Sequence, residues 1–234
     1  MGDNSPKGRG FKSRPVHKIN MTKIKAVIFD VGNTLLRYRY KWSGILYKKY
    51  KISLPHNEFQ KVFKDFYNFH TKNSLNIDIK HFAVKCGKLN DKRFIGDVKK
   101  YLGKDHLSYY RFPASISVVK TLRNRGYMLA VLSNWHHNCY GILKYHGLAS
   151  YFQHICVSAK VGITKPNLKI FKRVLKLLSV NAAEALMVGD SYEKDYKPAK
   201  KLGMHALLIE RKKKKLSHSI RNLRQVLTYI KRIN

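Results

Sequence analysis

Asp30, Ser133, Asn134, Lys165, Asp190 and Asp195 are the residues of this chain whose types and placement could do chemistry. Asp30 closes the apolar run 26–29, Ser133-Asn134 closes 128–132, and Asp190 follows 185–188 across one glycine, Gly189. Lys165 lies beyond the short apolar segment 154–158, and Asp195 stands just past Asp190. A short apolar run such as Ala-Val-Ile-Phe fits a strand buried on both faces. A polar residue at its carboxyl end then stands at the sheet edge where ligands bind in open α/β folds. Two or three carboxylates, an ammonium and a hydroxyl at one crevice suit Mg²⁺-assisted handling of a phosphoryl group. Such a set offers oxygen ligands to a hard cation, and a cation and a donor to phosphate oxygens. Gly32 and Asn33 add a tight turn that lets the backbone approach whatever binds beside Asp30.

The elements that must hold these residues follow from periodicity. Pro113 opens a helix through Val118, Val119 and Leu122 that stops at Gly126, and the run 128–132 follows as a strand. Segment 154–158 reads as a strand, 168–178 as a helix, 185–188 as a strand, 192–202 as a helix ending at Gly203, and 205–209 as the last strand. Such alternation predicts an α/β fold with a parallel sheet and helices on both faces. One helical insertion, 44–110, interrupts it, with Phe59, Val62, Phe63, Phe66 and Phe69 or His70 at helical spacing as a core stripe. After the last strand, Ile220, Leu223, Leu227 and Ile230 predict an amphipathic helix.

The 234 residues, 44% of them hydrophobic, are enough for one such core plus the insertion. No run approaches a membrane span, and the N-terminus lacks a secretory core. Cys86, Cys139 and Cys156 have neither zinc nor disulfide spacing and read as reduced intracellular thiols. Residues 1–22 form a basic tail, either a solubilising extension or a mitochondrial transit segment whose prolines and glycines would break a helix.

Charge is the unusual feature: 48 Lys+Arg against 13 Asp+Glu, a formal +35, points to a polyanionic partner, RNA first. Segment 37–42 alternates Arg37, Arg39 and Lys41 with aromatic rings, as a single-strand binding surface would, or as a linker whose rings pack inward. Lys169, Lys172, Arg173 and Lys176 share one cationic helix face. Arg211, Lys212, Lys213, Lys214 and Lys215 form a run suited to a phosphate clamp or a nuclear signal.

The order and spacing of Asp30, Ser133-Asn134, Lys165-Pro166 and Gly189-Asp190-Ser191 with Asp195 resemble the four motifs of the haloacid dehalogenase (HAD) superfamily. The likeness runs over about residues 24 to 210 and is nearest the animal HAD-like hydrolase domain-containing branch. It implies a Rossmannoid parallel sheet with a helical cap: core 23–37 and 111–210, cap 38–110, basic extensions 1–22 and 211–234. By the same resemblance, Asp30 is a nucleophile and Mg²⁺ ligand, the Gly32 carbonyl also faces the metal, and Asp190 and Asp195 complete its site. Ser133, with Asn134 beside it, holds the phosphoryl group, and Lys165 balances charge. One position departs from the pattern: family phosphatases carry a second Asp, the general acid/base, where this chain has Gly32, and His136 or His137 is the nearest substitute.

Two functions are therefore expected. The charge leads to a HAD fold recruited as an RNA-binding component of a ribonucleoprotein, a mitochondrial ribosome ahead of a cytoplasmic or nuclear particle, with rRNA and neighbouring proteins as partners and no membrane contact. The alternative is a Mg²⁺-dependent hydrolase of phosphatase type, acting through an aspartyl-phosphate on a small phosphorylated substrate.

Overall fold

The computed structural model describes residues 23–38, 42–72, 79–103, 108–135, 137–211 and 219–234. In chain order the elements are β1 (Ala26–Phe29), β2 (Leu36–Tyr38), α1 (Trp42–Lys49), α2 (His56–Lys72), α3 (Ile79–Lys85), α4 (Lys92–Gly103) and β3 (Tyr109–Arg111). Then come α5 (Ser115–Asn124), β4 (Met128–Ser133), α6 (Cys139–Tyr145), β5 (His154–Val157), α7 (Ser158–Val161) and α8 (Leu168–Leu178). The chain continues through β6 (Ala185–Gly189), α9 (Lys197–Lys201), β7 (His205–Ile209), β8 (Ser219–Ile220) and α10 (Arg224–Ile233).

Six strands form one parallel sheet in the order β5-β4-β1-β6-β7-β8, as the alternation predicts. The strand that precedes Asp30 lies inside it, with Ala26 facing Met128 on one side and Ala185 on the other. Both sheet faces are buried, and the two-residue period of a strand divides its residues between them. Val27 and Phe29, Leu129 and Val131, and Leu186 and Val188 pack toward α5, α6 and α10. Ala26 and Ile28, Ala130 and Leu132, and Ala185 and Met187 pack toward α8 and α9.

Helices α1–α4 lie between β2 and β3, which pair antiparallel with Leu36 opposite Arg111. They have their own hydrophobic cluster around Phe59, Phe82 and Phe94. Phe59 and Phe66 are buried there, as the stripe predicts, with Val62 and Phe63 half-buried; the side chains at 69 and 70 lie outside the described set. Trp42 stacks on Tyr101 at 4.1 Å and its indole N–H donates to Ser108, so this ring packs inward.

Two elements differ from expectation. Ile220 belongs to no helix: with Ser219 it extends the sheet beside β7, and α10 begins only at Arg224. A two-residue strand is too short to show a period, and Ile220 happens to stand at helical spacing from Leu223. Segment 192–202 begins as a π-helical turn, Tyr192–Tyr196, before α9, a wide turn often found at functional sites.

Candidate functional site

Every strand end that sequence reasoning marked opens on the same edge of the sheet. Asp30 leaves β1 with its backbone N–H donating to Val188 O, so β6 holds the residue at the sheet's end. Its Oδ1 accepts two bonds, from Ser133 Oγ at 2.8 Å and from Lys165 Nζ at 2.7 Å. Lys165 Nζ also reaches Asp195 Oδ1 at 2.5 Å, so one ammonium bridges two carboxylates. Its side chain is only 2% exposed, as are those of its partners to within 8%, and a charge so buried persists only with partners like these.

Asn134 does something other than face the crevice. Its Nδ2 donates to Lys165 O at 2.9 Å and its Oδ1 accepts from Lys165 N at 2.7 Å, so it clips the lysine backbone in place. Asp195 is set by the π-helical turn: its Oδ2 accepts from Ser191 N at 3.1 Å. The carboxylate lies so close to Gly189 that a Cβ there would overlap it, which is why a glycine precedes Asp190. Asp190 accepts from Asn33 Nδ2 at 3.2 Å, and Asn33 takes the left-handed conformation, φ 51°, in the turn after Asp30.

The electrostatics follow from crowding three acids around one cation. Burial, and then the charge of Asp30, raises the Asp190 pKa. The same two causes push Asp195 up to about 6, against the pull of Lys165. Burial alone would lower the Lys165 pKa, but Asp30 and Asp195 outweigh it and the ammonium is held on. Oxygens of Asp30, Asp190 and Asp195 lie within 4.8 Å of one another. An all-oxygen set of this size suits a hard divalent cation such as Mg²⁺.

Two neighbours, Trp135 and Phe112, escaped sequence reasoning, and a third, Arg211, was read only as part of a basic run. Trp135, next to Ser133-Asn134, is buried against Tyr109 at 5.1 Å, and a Cβ on Gly32 would lie 3.2 Å from its Cζ3. Phe112, on the return from α4, carries the Arg211 guanidinium on its ring face at 3.5 Å. Arg211 also donates to the carbonyl oxygens of Asn33 and Thr34, so it grips the turn after Asp30. Burial lowers its pKa to about 10, opposed by Asp190. Asn33, Arg37, Phe112, Asp190, Glu210 and Arg211 line a cavity of about 350 Å³.

The chain belongs to the haloacid dehalogenase-like hydrolase family, whose sequence profile matches residues 27–209. Within it, the chain is similar to bovine (Bos taurus) haloacid dehalogenase-like hydrolase domain-containing protein 3, 26% identical over 80% of this chain and 82% of that one. It is also similar to the glyceraldehyde 3-phosphate phosphatase of Methanothermobacter thermautotrophicus, 27% identical over 80% of this chain and 85% of that one. Among solved structures, a HAD hydrolase of Bacillus subtilis, crystallised with magnesium, superposes with a TM-score of 0.64, covering 90% of this chain and all of that one at 18% identity.

These relatives overturn the expectation of an RNA-binding ribonucleoprotein component with rRNA and protein partners: they are hydrolases, and none is a ribosomal protein. The local geometry explains how the charge misled. Lys169, Lys172, Arg173 and Lys176 are the exposed side of α8, whose other side, with Ile170, Phe171 and Val174, is core. An amphipathic helix exposes a charged face whatever its function. Arg37 is exposed on β2 near the Tyr110 ring, and Arg211 turns inward to the Asn33 turn. Arg39, Lys41 and Lys212, Lys213, Lys214 and Lys215 lie outside the described residues, as does His136.

Proposed function

We propose that this chain is a Mg²⁺-dependent hydrolase of phosphatase type that acts on a small phosphorylated substrate. The observation that carries this reading is the buried Asp30–Lys165–Asp195 bridge with Asp190 beside it, an arrangement costly to stability and suited to chemistry. The phosphatase among the relatives and the magnesium in the B. subtilis hydrolase support it.

In this reading Asp30 attacks phosphorus. Both hydrogen bonds to its carboxylate fall on Oδ1, which supports Oδ2 as the attacking oxygen. Lys165 has three N–H donors and spends two on Asp30 and Asp195; the third is available to a phosphoryl oxygen. Ser133 Oγ, now donating to Asp30, can turn its proton to the same group. Asp30, Asp190, Asp195 and the Gly32 carbonyl would hold Mg²⁺, which when bound supplies counter-charge to the phosphoryl oxygens. Asn134 keeps Lys165 in register, and Arg211 keeps the Asn33 turn. The 350 Å³ cavity is on the scale of a small-molecule site, and helices of segment 38–110 act as the cap that selects what enters it.

The test compares the natural chain with Asp30→Asn on a panel of small phosphate esters and anhydrides, with Mg²⁺ and with chelator. Turnover should need the metal and fall at least about 10⁴-fold in the variant. Equal turnover by the two proteins would remove Asp30 from the reaction.

A further inference from the structure

Resting on the reading above, we infer that the substrate is a phosphoryl donor whose leaving group departs as a stable anion, an acyl phosphate being the type, and not an alkyl phosphate ester. The juxtaposition that carries this is Gly32 against Trp135. The turn after Asp30 reads Val31-Gly32-Asn33-Thr34, and none of these side chains exchanges a proton near neutral pH. Nor is there room for a titrating group at 32 without rearrangement. The first atom of any side chain there would meet Trp135 Cζ3 at 3.2 Å, so a carboxylate would require the indole to give by a few tenths of an ångström. The indole is buried and packs on Tyr109 of β3, and the backbone carbonyl of Trp135 accepts from Ala159 N at 3.2 Å and Ser158 Oγ at 3.3 Å. The space next to Gly32 is thus bounded by the hydrocarbon edge of a ring, which donates no proton.

The chemistry of the leaving group follows. Asp30 Oδ2 forms a bond to phosphorus as the bond from phosphorus to the leaving oxygen breaks, and the electron pair leaves with that oxygen. An alkoxide is about as basic as hydroxide, its acid having a pKa of about 16, and must take a proton as it departs. A phenolate corresponds to about 10 and a carboxylate to about 4, and the carboxylate leaves unprotonated. Water then attacks the aspartyl-phosphate, regenerating the Asp30 carboxylate and releasing phosphate, with the proton passing to solvent. General acid help is typically worth about 10² to 10⁴ in rate, so a turn after Asp30 that offers none penalises alkyl esters by that order while sparing acyl phosphates.

The experiment measures kcat/KM of the natural chain with Mg²⁺ on acetyl phosphate, phenyl phosphate and glycerol 2-phosphate, with Asp30→Asn as control. The expected result is a descending series with acetyl phosphate above glycerol 2-phosphate by more than about 10²-fold, all of it lost in the control. A ratio below that, with the control inactive, overturns the leaving-group inference and leaves the hydrolase reading standing. Turnover that survives in the control overturns the hydrolase reading itself. Gly32→Asp, its fold checked by circular dichroism, should gain no alkyl-phosphate turnover; a gain would show that position 32 accepts a working acid.

Discussion

The acids of the sheet edge and Asp97 of the helical insertion are the same chemical group held in opposite ways. Asp190 and Asp195 are buried beside Asp30, and their pKa values are raised. Asp97 on α4 accepts hydrogen bonds from Lys49 Nζ at 2.5 Å and Tyr50 Oη at 2.7 Å, and these lower its pKa. The first pair holds charge that its surroundings oppose; the second is already satisfied. Strained acids in a crevice are poised for a counter-charge, whereas a satisfied one only joins α1 to α4. Titration direction therefore separates the two regions, although both carry a lysine–aspartate contact of 2.5 Å.

The comparison can be broken or sharpened by experiment. The largest effect is expected from Lys165→Met, which leaves Asp30 and Asp195 buried without their cation. Unfolding by urea at neutral pH should show a loss of about 3–5 kcal/mol, with turnover abolished. Because carboxylates with raised pKa values take up protons more readily folded than unfolded, that loss should shrink as pH is lowered from 7 toward 5. A loss that grows over this window would mean the acids are not strained.

A middle-sized effect is expected in the natural chain from the metal. Because the Asp195 pKa is pushed up to about 6, Mg²⁺ binding should release more protons near pH 6 than at about pH 8. Titration calorimetry in buffers of different ionisation enthalpy reads this directly; proton release that is equal at both values would place Asp195 outside the metal site. The smallest effect belongs to the helical region. Asp97→Asn should lower the thermal midpoint slightly above about pH 4, and the difference should vanish as pH falls below the depressed Asp97 pKa. Both losses shrink on acidification, but in separate windows: that of Lys165→Met between pH 7 and 5, where the buried acids have raised pKa values, and that of Asp97→Asn only below about pH 4.

Much of the sheet edge was legible because each strand advertises itself twice, as an apolar run and as the polar residue that ends it. Asp30, Ser133 and Asp190 could be gathered from those ends, whereas Lys165 and Asp195, which lie past them, were singled out by the motif resemblance. What each neighbour does was not legible. Asn134 reads as a crevice residue, yet its amide matches the backbone of Lys165, a pairing that depends on how two loops cross. Arg211 reads as one charge in a basic run, yet its partners Asn33 and Thr34 lie at the far end of the chain. Gly32 was visible as a missing acid, but that the edge of the Trp135 ring lies against it could only be seen in three dimensions. Net charge was the least informative signal, since surface lysines report solvation as readily as a partner.

The position of β1 inside the sheet has a further consequence, for the order in which the molecule can form. Asp30's strand has no partner nearby in sequence: Ala26 pairs with Met128 and with Ala185, beyond the whole helical insertion. The insertion packs largely through local contacts around Phe59, Phe82 and Phe94 and can condense early, whereas β1 must wait for two distant strands. Asp30 is therefore among the first residues of the fold to be made and among the last to be fixed in place.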